Sequence, residues 1–198
     1  MDEVRIDVSQ AAANWIWLAP SVSFQTAIFV GEPSSHVLQA LQLHVGRVVL
    51  VPPGNVERLA EVRQLRTGWA YVDLDLVWRE GALLKPLVAA LEAALRGGGN
   101  LCLASSAQDR RMTARLAALW RIRRGLSMAR RAGFRLAGRY HAVPNPDAPI
   151  TLVPASRHGA TIYETLSEPV PNRNLRLRLA RSAFHPLLFR GHLCLCSA

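Results

Sequence analysis

The stretch "TAIFVGEPSSHVLQALQLHVGRVVLVPP", Thr26 to Pro53, decides how this chain is read. Phe24 to Val30 is a short apolar run ending at Gly31, the pattern of a central strand buried on both faces. Pro33-Ser34-Ser35 is a helix-start signal with serine available as a cap. Val37, Leu38, Leu41 and Val45 then recur at helical spacing, so a helix is expected over Ser35–Val45. Arg47 to Val51 is a second β-branched run, stopped by Pro52-Pro53-Gly54. Strand, turn, helix and strand in this order form the unit that grips nucleotide-like cofactors in doubly wound sheets. The turn itself, "GEPSSH", is poor in glycine where such loops are normally rich in it.

Downstream the same alternation continues. Asn55 can cap a helix, "VERLAEVRQL", with Val56, Leu59, Val62 and Leu65 as its apolar stripe. "GWAYVDLDLVW" alternates polar and apolar residues and reads as a strand on which Asp73 and Asp75 share one face. "ALLKPLVAALEAALR" is a helix with Pro86 near its first turn. A glycine-rich turn leads to a strand over Asn100–Ala104, and Met112–Ala132 is a long arginine-rich helix with Gly125 as a candidate break. "GFRLAGRYHAVP" is a strand entered through Gly133, and "PNPDAPITLVP" a proline-rich connection. "LRLRLARSAFHPLLF" reads as helical up to Pro186, and "RGHLCLCSA" as a closing strand. Short links between alternating strands and helices predict an α/β chain, a Rossmann-like three-layer fold with a mainly parallel central sheet. One domain over 1–198 is expected, with 1–24 as an N-terminal cap segment and 144–190 as a variable insert before the last strand.

Half of the 198 residues are hydrophobic, which excludes a disordered chain. The formal net charge is +10, and Lys85 is the only lysine, so the other 23 basic side chains are arginines. That excess points to an acidic partner, an acidic protein, peptide or small-molecule substrate, with nucleic acid as a further candidate. A GC-rich genome produces the same bias, and arginine also braces folds through its planar fork. Cys102, Cys194 and Cys196 are an odd set without ligand spacing, so free buried thiols, a reducing cytoplasmic setting and no metal site are expected. Ala11 to Gly31 lacks charge, but Asn14, Pro20, Ser21, Ser23, Gln25 and Thr26 dilute it too heavily for a transmembrane span. Asp2 and Glu3 argue against a signal peptide. Trp15 and Trp17 could dock on a partner, in a hetero- or homo-oligomer, although tryptophans more often cover a core.

The order of elements resembles the class I S-adenosylmethionine-dependent methyltransferase family from about Gln25 onward. Three marks carry the resemblance: the unit ending "GRVVLV"; "LVAALEAALRGGGNLCLA", similar to the family's helix, "L-x-P-G-G" turn and fifth strand; and "ARRAGFRLAGRYHAVP", similar to its "AGF" entry to a late hairpin. The resemblance implies S-adenosylmethionine as cofactor and methyl transfer to a small or peptidic biosynthetic substrate. It places the cofactor at Gly31, Glu32, Ser34, Ser35, Val51 and Pro52, and the substrate near Trp78, Arg79, Tyr140 and His141. No residue is assigned to catalysis, since methyl transfer needs mainly alignment of donor and acceptor.

The departures fall in the same loop. The family's G-x-G-x-G turn lets backbone approach the cofactor's methionine part, and here only Gly31 matches. Pro33 removes an N–H donor, Glu32 would oppose a methionine carboxylate, and Val51-Pro52-Pro53 lacks the acid that holds the ribose hydroxyls. The short span from Pro53 to Trp69 implies that the family's third strand is compressed or missing. One reading is therefore a divergent enzyme that uses the amides of Ser34 and Ser35 at a helix start. The alternative is a non-catalytic methyltransferase-like subunit that binds a protein partner, and a third is a basic RNA-associated protein. Asp73 and Asp75 suit acid–base work or, more simply, strand-end hydrogen bonds and arginine pairing. His141 suits a general base or a structural role. His36 reads as a surface residue and His185 as a helix-end feature. The arginines from Arg110 to Arg139 do not fall on one clean helical face, with Arg123 and Arg130 close to the stripe of Leu116, Leu119 and Leu126.

Overall fold

The computed structural model describes residues 24–52, 56–81, 83–107, 109, 111–144, 146, 149, 151–167 and 172–198. Trp15, Trp17 and Asn55 lie outside them. In chain order the elements are β1 (Phe24–Val30), α1 (His36–His44), β2 (Val45–Leu50), α2 (Val56–Gln64), β3 (Trp69–Asp73), α3 (Leu74–Arg79) and α4 (Leu84–Leu95). There follow β4 (Asn100–Ser106), α5 (Met112–Arg131), β5 (Arg135–Val143), β6 (Thr151–Pro154), α6 (Arg157–Leu166), α7 (Arg173–Arg181), a 3-10 turn (His185–Leu188) and β7 (Gly191–Ser197).

One seven-stranded sheet runs in the order β2-β1-β3-β4-β7-β5-β6. The first four strands are parallel. β7 enters antiparallel between β4 and β5, which returns β5 to the common direction, and β6 closes the far edge antiparallel. The fold class is thus α/β with a mainly parallel, Rossmann-like sheet. From β2 the chain passes through α2 directly to β3, on the other side of β1, with no strand between them among the described residues.

Because side chains alternate across a strand, each sheet face builds its own core. Ile28, Val30, Ala70, Val72, Leu101 and Leu103 pack on one side with Val62 of α2, Leu87 and Leu91 of α4, and Ile122 and Leu126 of α5. Ala27, Phe29, Trp69, Tyr71 and Cys102 pack on the other with Val37, Leu38 and Leu41 of α1. All three cysteines are free and buried, with Cys194 and Cys196 on the first face. A satellite cluster of Val153, Ala160, Ala180 and Phe189 lies under α6 and α7. Glu164 and Arg176 tie those two helices by a bidentate pair at 2.6 and 2.8 Å.

Several expectations need correction. The apolar runs Ala27–Val30, Val48–Val51 and Leu101–Leu103 all imply central strands buried on both faces; β1 and β4 are, but β2 is an edge strand whose Gly46 and Arg47 are exposed and whose Val48–Leu50 are half-buried. Without a third strand, no neighbour covers its outer side among the described residues. The strand read through "YVDLDLVW" stops at Asp73, whose carboxylate caps α3 by accepting from the N–H groups of Asp75 and Leu76. Asp73 and Asp75 therefore do not share a strand face. Gly125 does not break α5: a Cβ there would lie 2.7 Å from Leu74 Cδ1, so the glycine lets an unbroken helix press on α3. Leu116 is exposed rather than part of the α5 stripe. "ITLVP" is not connection alone, because Thr151–Pro154 forms β6. The helix expected to reach Pro186 ends at Arg181, and Ser182 redirects the chain by accepting from the Phe184 N–H.

Candidate functional site

The parallel strands bring the ends of β1, β3 and β4 together, and the loops leaving those ends form the candidate site. After β1 the chain turns through Gly31 and Glu32 into α1. The Ser35 N–H donates to the Glu32 carbonyl at 3.0 Å, and the Ser35 hydroxyl accepts from the Val37 N–H at 3.1 Å. The Ser35 amide is thus spent inside the turn. The helix start was the expected anion-binding feature; its serine works as an N-cap.

Gly31 is buried, and what faces it is Phe29. A Cβ on Gly31 would lie 2.5 Å from Phe29 Cζ and 2.7 Å from Cε1, closer than carbon atoms approach. The Phe29 ring lies over the glycine and stacks on Tyr71, with centroids 5.4 Å apart and planes 8° apart. Both rings are essentially inaccessible to solvent. The space that Gly31 leaves open is filled by the chain's own aromatic core.

Glu32 forms an ion pair with Arg79 at the end of α3, and its hydrogen bond and charge push the Arg79 guanidinium above its ordinary value. One expected cofactor-loop residue and one expected substrate-side residue therefore neutralise each other across the mouth. Val51 is buried and extends the β2 pairing through its N–H to the Phe29 carbonyl at 2.9 Å, while Pro52 is exposed.

Asp75 fastens the strand ends. Its carboxylate accepts from the Ser105 hydroxyl at 2.6 Å, the Ser106 N–H at 2.6 Å and the Ser106 hydroxyl at 3.2 Å. Arg121 of α5 reaches the same carboxylate at 2.7 Å. With its lone pairs so committed, Asp75 holds β4 and α5 to α3, the arginine-pairing role among those open for it. Ser105 and Ser106 were not singled out in the sequence, because nothing local marks serines at a strand end as partners of a residue thirty positions earlier.

A cavity of about 310 Å³ opens between α3 and α5, lined by Asp75, Trp78, Arg79, Asp109 and Arg121. Trp78 meets Trp120 edge-on there, with ring centroids 5.0 Å apart. A much smaller one, about 20 Å³, lies among Tyr71, Asp73, Asp75 and Ala104–Ser106. Neither is lined by Gly31, Glu32, Ser34, Ser35, Val51 or Pro52.

Tyr140 and His141 do not join Trp78 and Arg79 in the larger cavity. They are consecutive in β5 and so face opposite sides; the Tyr140 ring folds back over Gly138. His141 is buried, stacked on Phe189 with centroids 4.2 Å apart, and its Nδ1 meets His192 Nδ1 at 3.1 Å. Burial, with the charges of His192, His185 and Arg139, lowers its pKa to about 2. Burial with the charges of Arg139 and Arg123 lowers that of His192 to about 4. His141 is a neutral packing residue here, not a solvent-facing base. His36 is exposed, as expected. Among the described residues no group of three His, Cys, Asp or Glu side chains could hold a metal ion, and no helix is long and apolar enough to cross a membrane.

No family model and no curated protein matches the chain. Solved structures with a similar course include a Bacillus halodurans C-125 protein proposed to be a methyltransferase, at 11% identity over 94% of this chain and 97% of that one, TM-score 0.48. Geranyl diphosphate C-methyltransferase from Streptomyces coelicolor A3(2) matches at 11% identity over 95% and 79%, TM-score 0.49. A Haloferax volcanii chain proposed to be a methyltransferase, solved with the Trm112 methyltransferase activator, matches at 13% identity over 99% of each chain, TM-score 0.46. The fold itself is α/β with a Rossmann-like, mainly parallel sheet.

S-adenosylmethionine does not fit the residues at the β1–α1 loop. Its methionine part needs backbone approach at Gly31, where Phe29 sits, and of the two amides expected to receive it, Ser34 and Ser35, that of Ser35 is already donated. Its ribose needs an acceptor after β2, where Val51-Pro52-Pro53-Gly54-Asn55 has no carboxylate.

Two outcomes follow. Gly31→Ala should cost about 1–3 kcal/mol by overpacking the Phe29 ring, and clearly less in a Phe29→Leu background; denaturant unfolding of the four-protein cycle measures the coupling. Equal cost in both backgrounds would mean that the ring does not occupy that space. His141 and His192 have folded pKa values below the ordinary 6.5, so unfolding takes up protons once pH falls beneath about 6.5. Their contribution to stability is complete above that pH. From pH 6.5 towards 5 it should decline, approaching about 1.4 kcal/mol per pH unit for each histidine, and His192→Leu should flatten the unfolding curve taken across that range.

Proposed function

We propose that this chain is a non-catalytic methyltransferase-like protein that acts by binding an acidic partner, and that its cofactor position is closed by its own core. The observation that carries this reading is the Phe29 ring lying over Gly31 and stacked on Tyr71. The spent Ser35 amide and the Glu32–Arg79 pair at the loop mouth support it. The net charge of +10, almost all of it arginine, gives the chemistry of the partner. Closing such a loop leaves the sheet intact, because the scaffold's stability comes from the two cores rather than from the ligand.

Methyl transfer retains one favourable observation. The cavity of about 310 Å³ lined by Trp78, Arg79, Asp75 and Arg121 lies beside the strand ends, where the resemblance puts the acceptor, and its size is at the lower end of ligand sites. Titration calorimetry of the purified chain with S-adenosylmethionine separates the two. The expected outcome is no binding, for the wild type and for Glu32→Gln alike. Binding at micromolar affinity would overturn the closed-site reading and leave methyl transfer standing.

A further inference from the structure

A second place in the molecule gathers charge without neutralising it. From Arg110 to Arg139 the sequence holds ten arginines and no Asp or Glu. Arg121 is taken by Asp75, and Arg115 donates to the Leu187 carbonyl. Arg123, Arg130 and Arg131 of α5 and Arg139 of β5 instead converge on one groove of about 350 Å³, together with Ile122, Leu126, Ser127 and Cys194. Among the described residues none of the four has a carboxylate partner; Arg139 meets only the Cys194 sulfur. His192, in the sheet beneath, is 3% exposed, and its Nε2 has no hydrogen-bond partner. Arg139 and Arg123 both act on it electrostatically.

The groove follows from the fold. Arg123, Ser127 and Arg130 are spaced by four and three residues, so they stack along one side of α5, the side turned to β5. Arg139 rises from β5 opposite Cys194 of β7. Arg123 and Arg130 are rooted about 10 Å apart along the helix, at 1.5 Å rise per residue, and their long side chains line one groove with Arg139 of the strand. Guanidinium groups bind phosphate oxygens bidentately. A single phosphate monoester carries roughly −1.5 to −2, at most half the charge of four guanidinium groups, and a linked second phosphate brings the ligand nearer to balance. Ile122 and Leu126, almost wholly buried in the core, close the bottom of the groove between the arginines. The Cys194 thiol is pushed up to about 11 by burial, so it packs as a neutral floor.

We propose that the groove between α5 and β5, ringed by Arg123, Arg130, Arg131 and Arg139, binds a diphosphate-bearing ligand of nucleoside diphosphate size. It lies on the helical face of the sheet rather than at the strand ends, so it stands or falls independently of S-adenosylmethionine binding. Nucleic-acid backbone presents the same phosphate chemistry, and the experiment separates the two sources.

Fluorescence anisotropy with a labelled adenosine diphosphate, with inorganic pyrophosphate and a short single-stranded RNA as competitors, is the test. Expected are saturable binding, displacement by pyrophosphate, and a loss on the order of tenfold for each of Arg123→Ala and Arg139→Ala, as removal of a charged hydrogen bond implies. Arg124→Ala, on the same helix but outside the groove, should bind as the wild type does. Arg123 is solvent-exposed, so its variant keeps the test sound if Arg139→Ala fails to fold. RNA binding that Arg123→Ala weakens and pyrophosphate cannot displace would keep the phosphate groove but overturn the small diphosphate as its occupant. No binding of either probe, or binding indifferent to Arg123→Ala and Arg139→Ala, would overturn the proposal.

Discussion

The contact on which the strand-end site depends is an aromatic ring resting on a glycine. Phe29 needs Gly31 to be without a side chain, and Tyr71 of the neighbouring strand holds the ring flat against it. In a sheet that binds a ligand at this corner, the glycine's missing side chain admits the ligand. Here the same freedom is used to complete a core. The ring's burial contributes on the order of a few kcal/mol, so reopening the corner means giving up stability as well as moving a side chain.

That exchange makes sense of the neighbouring residues. Ser35 satisfies the start of α1 with its own hydroxyl. Glu32 reaches to Arg79 and joins the first loop to the end of α3. Asp75 does the same deeper down, where it gathers Ser105, Ser106 and Arg121. Groups expected to face ligands therefore hold the strand ends to one another. Among the described residues, arginines without a carboxylate partner gather along the second half of α5 and across to β5.

Much of the fold was legible in the sequence because apolar runs and helical stripes report burial directly. β1, α1, α4, β4, β5 and β7 are placed as those patterns imply. The misreadings arose where a local pattern had two physical meanings. "VDLDLVW" alternates as a strand does, yet Asp73 followed by Asp75 and Leu76 also makes a capped helix start, and the cap prevailed. Gly125 looks like a helix break until Leu74 is seen to need its space. For the site, the scarcity of glycine in residues 31–35 and the lack of an acid at 51–53 could be read from the sequence alone. What replaced them could not be read, because Phe29 stacking on Tyr71 is a contact between strands whose register only the folded sheet sets.

The most direct measurement is a crystal structure of the chain grown with excess S-adenosylhomocysteine, which has the nucleoside and amino-acid parts of the cofactor. The closed-site account predicts the Phe29 ring flat on Tyr71, the Ser35 amide bonded to the Glu32 carbonyl, and no nucleoside beyond β1. A ring swung away from Gly31 with adenosine density in its place would contradict it.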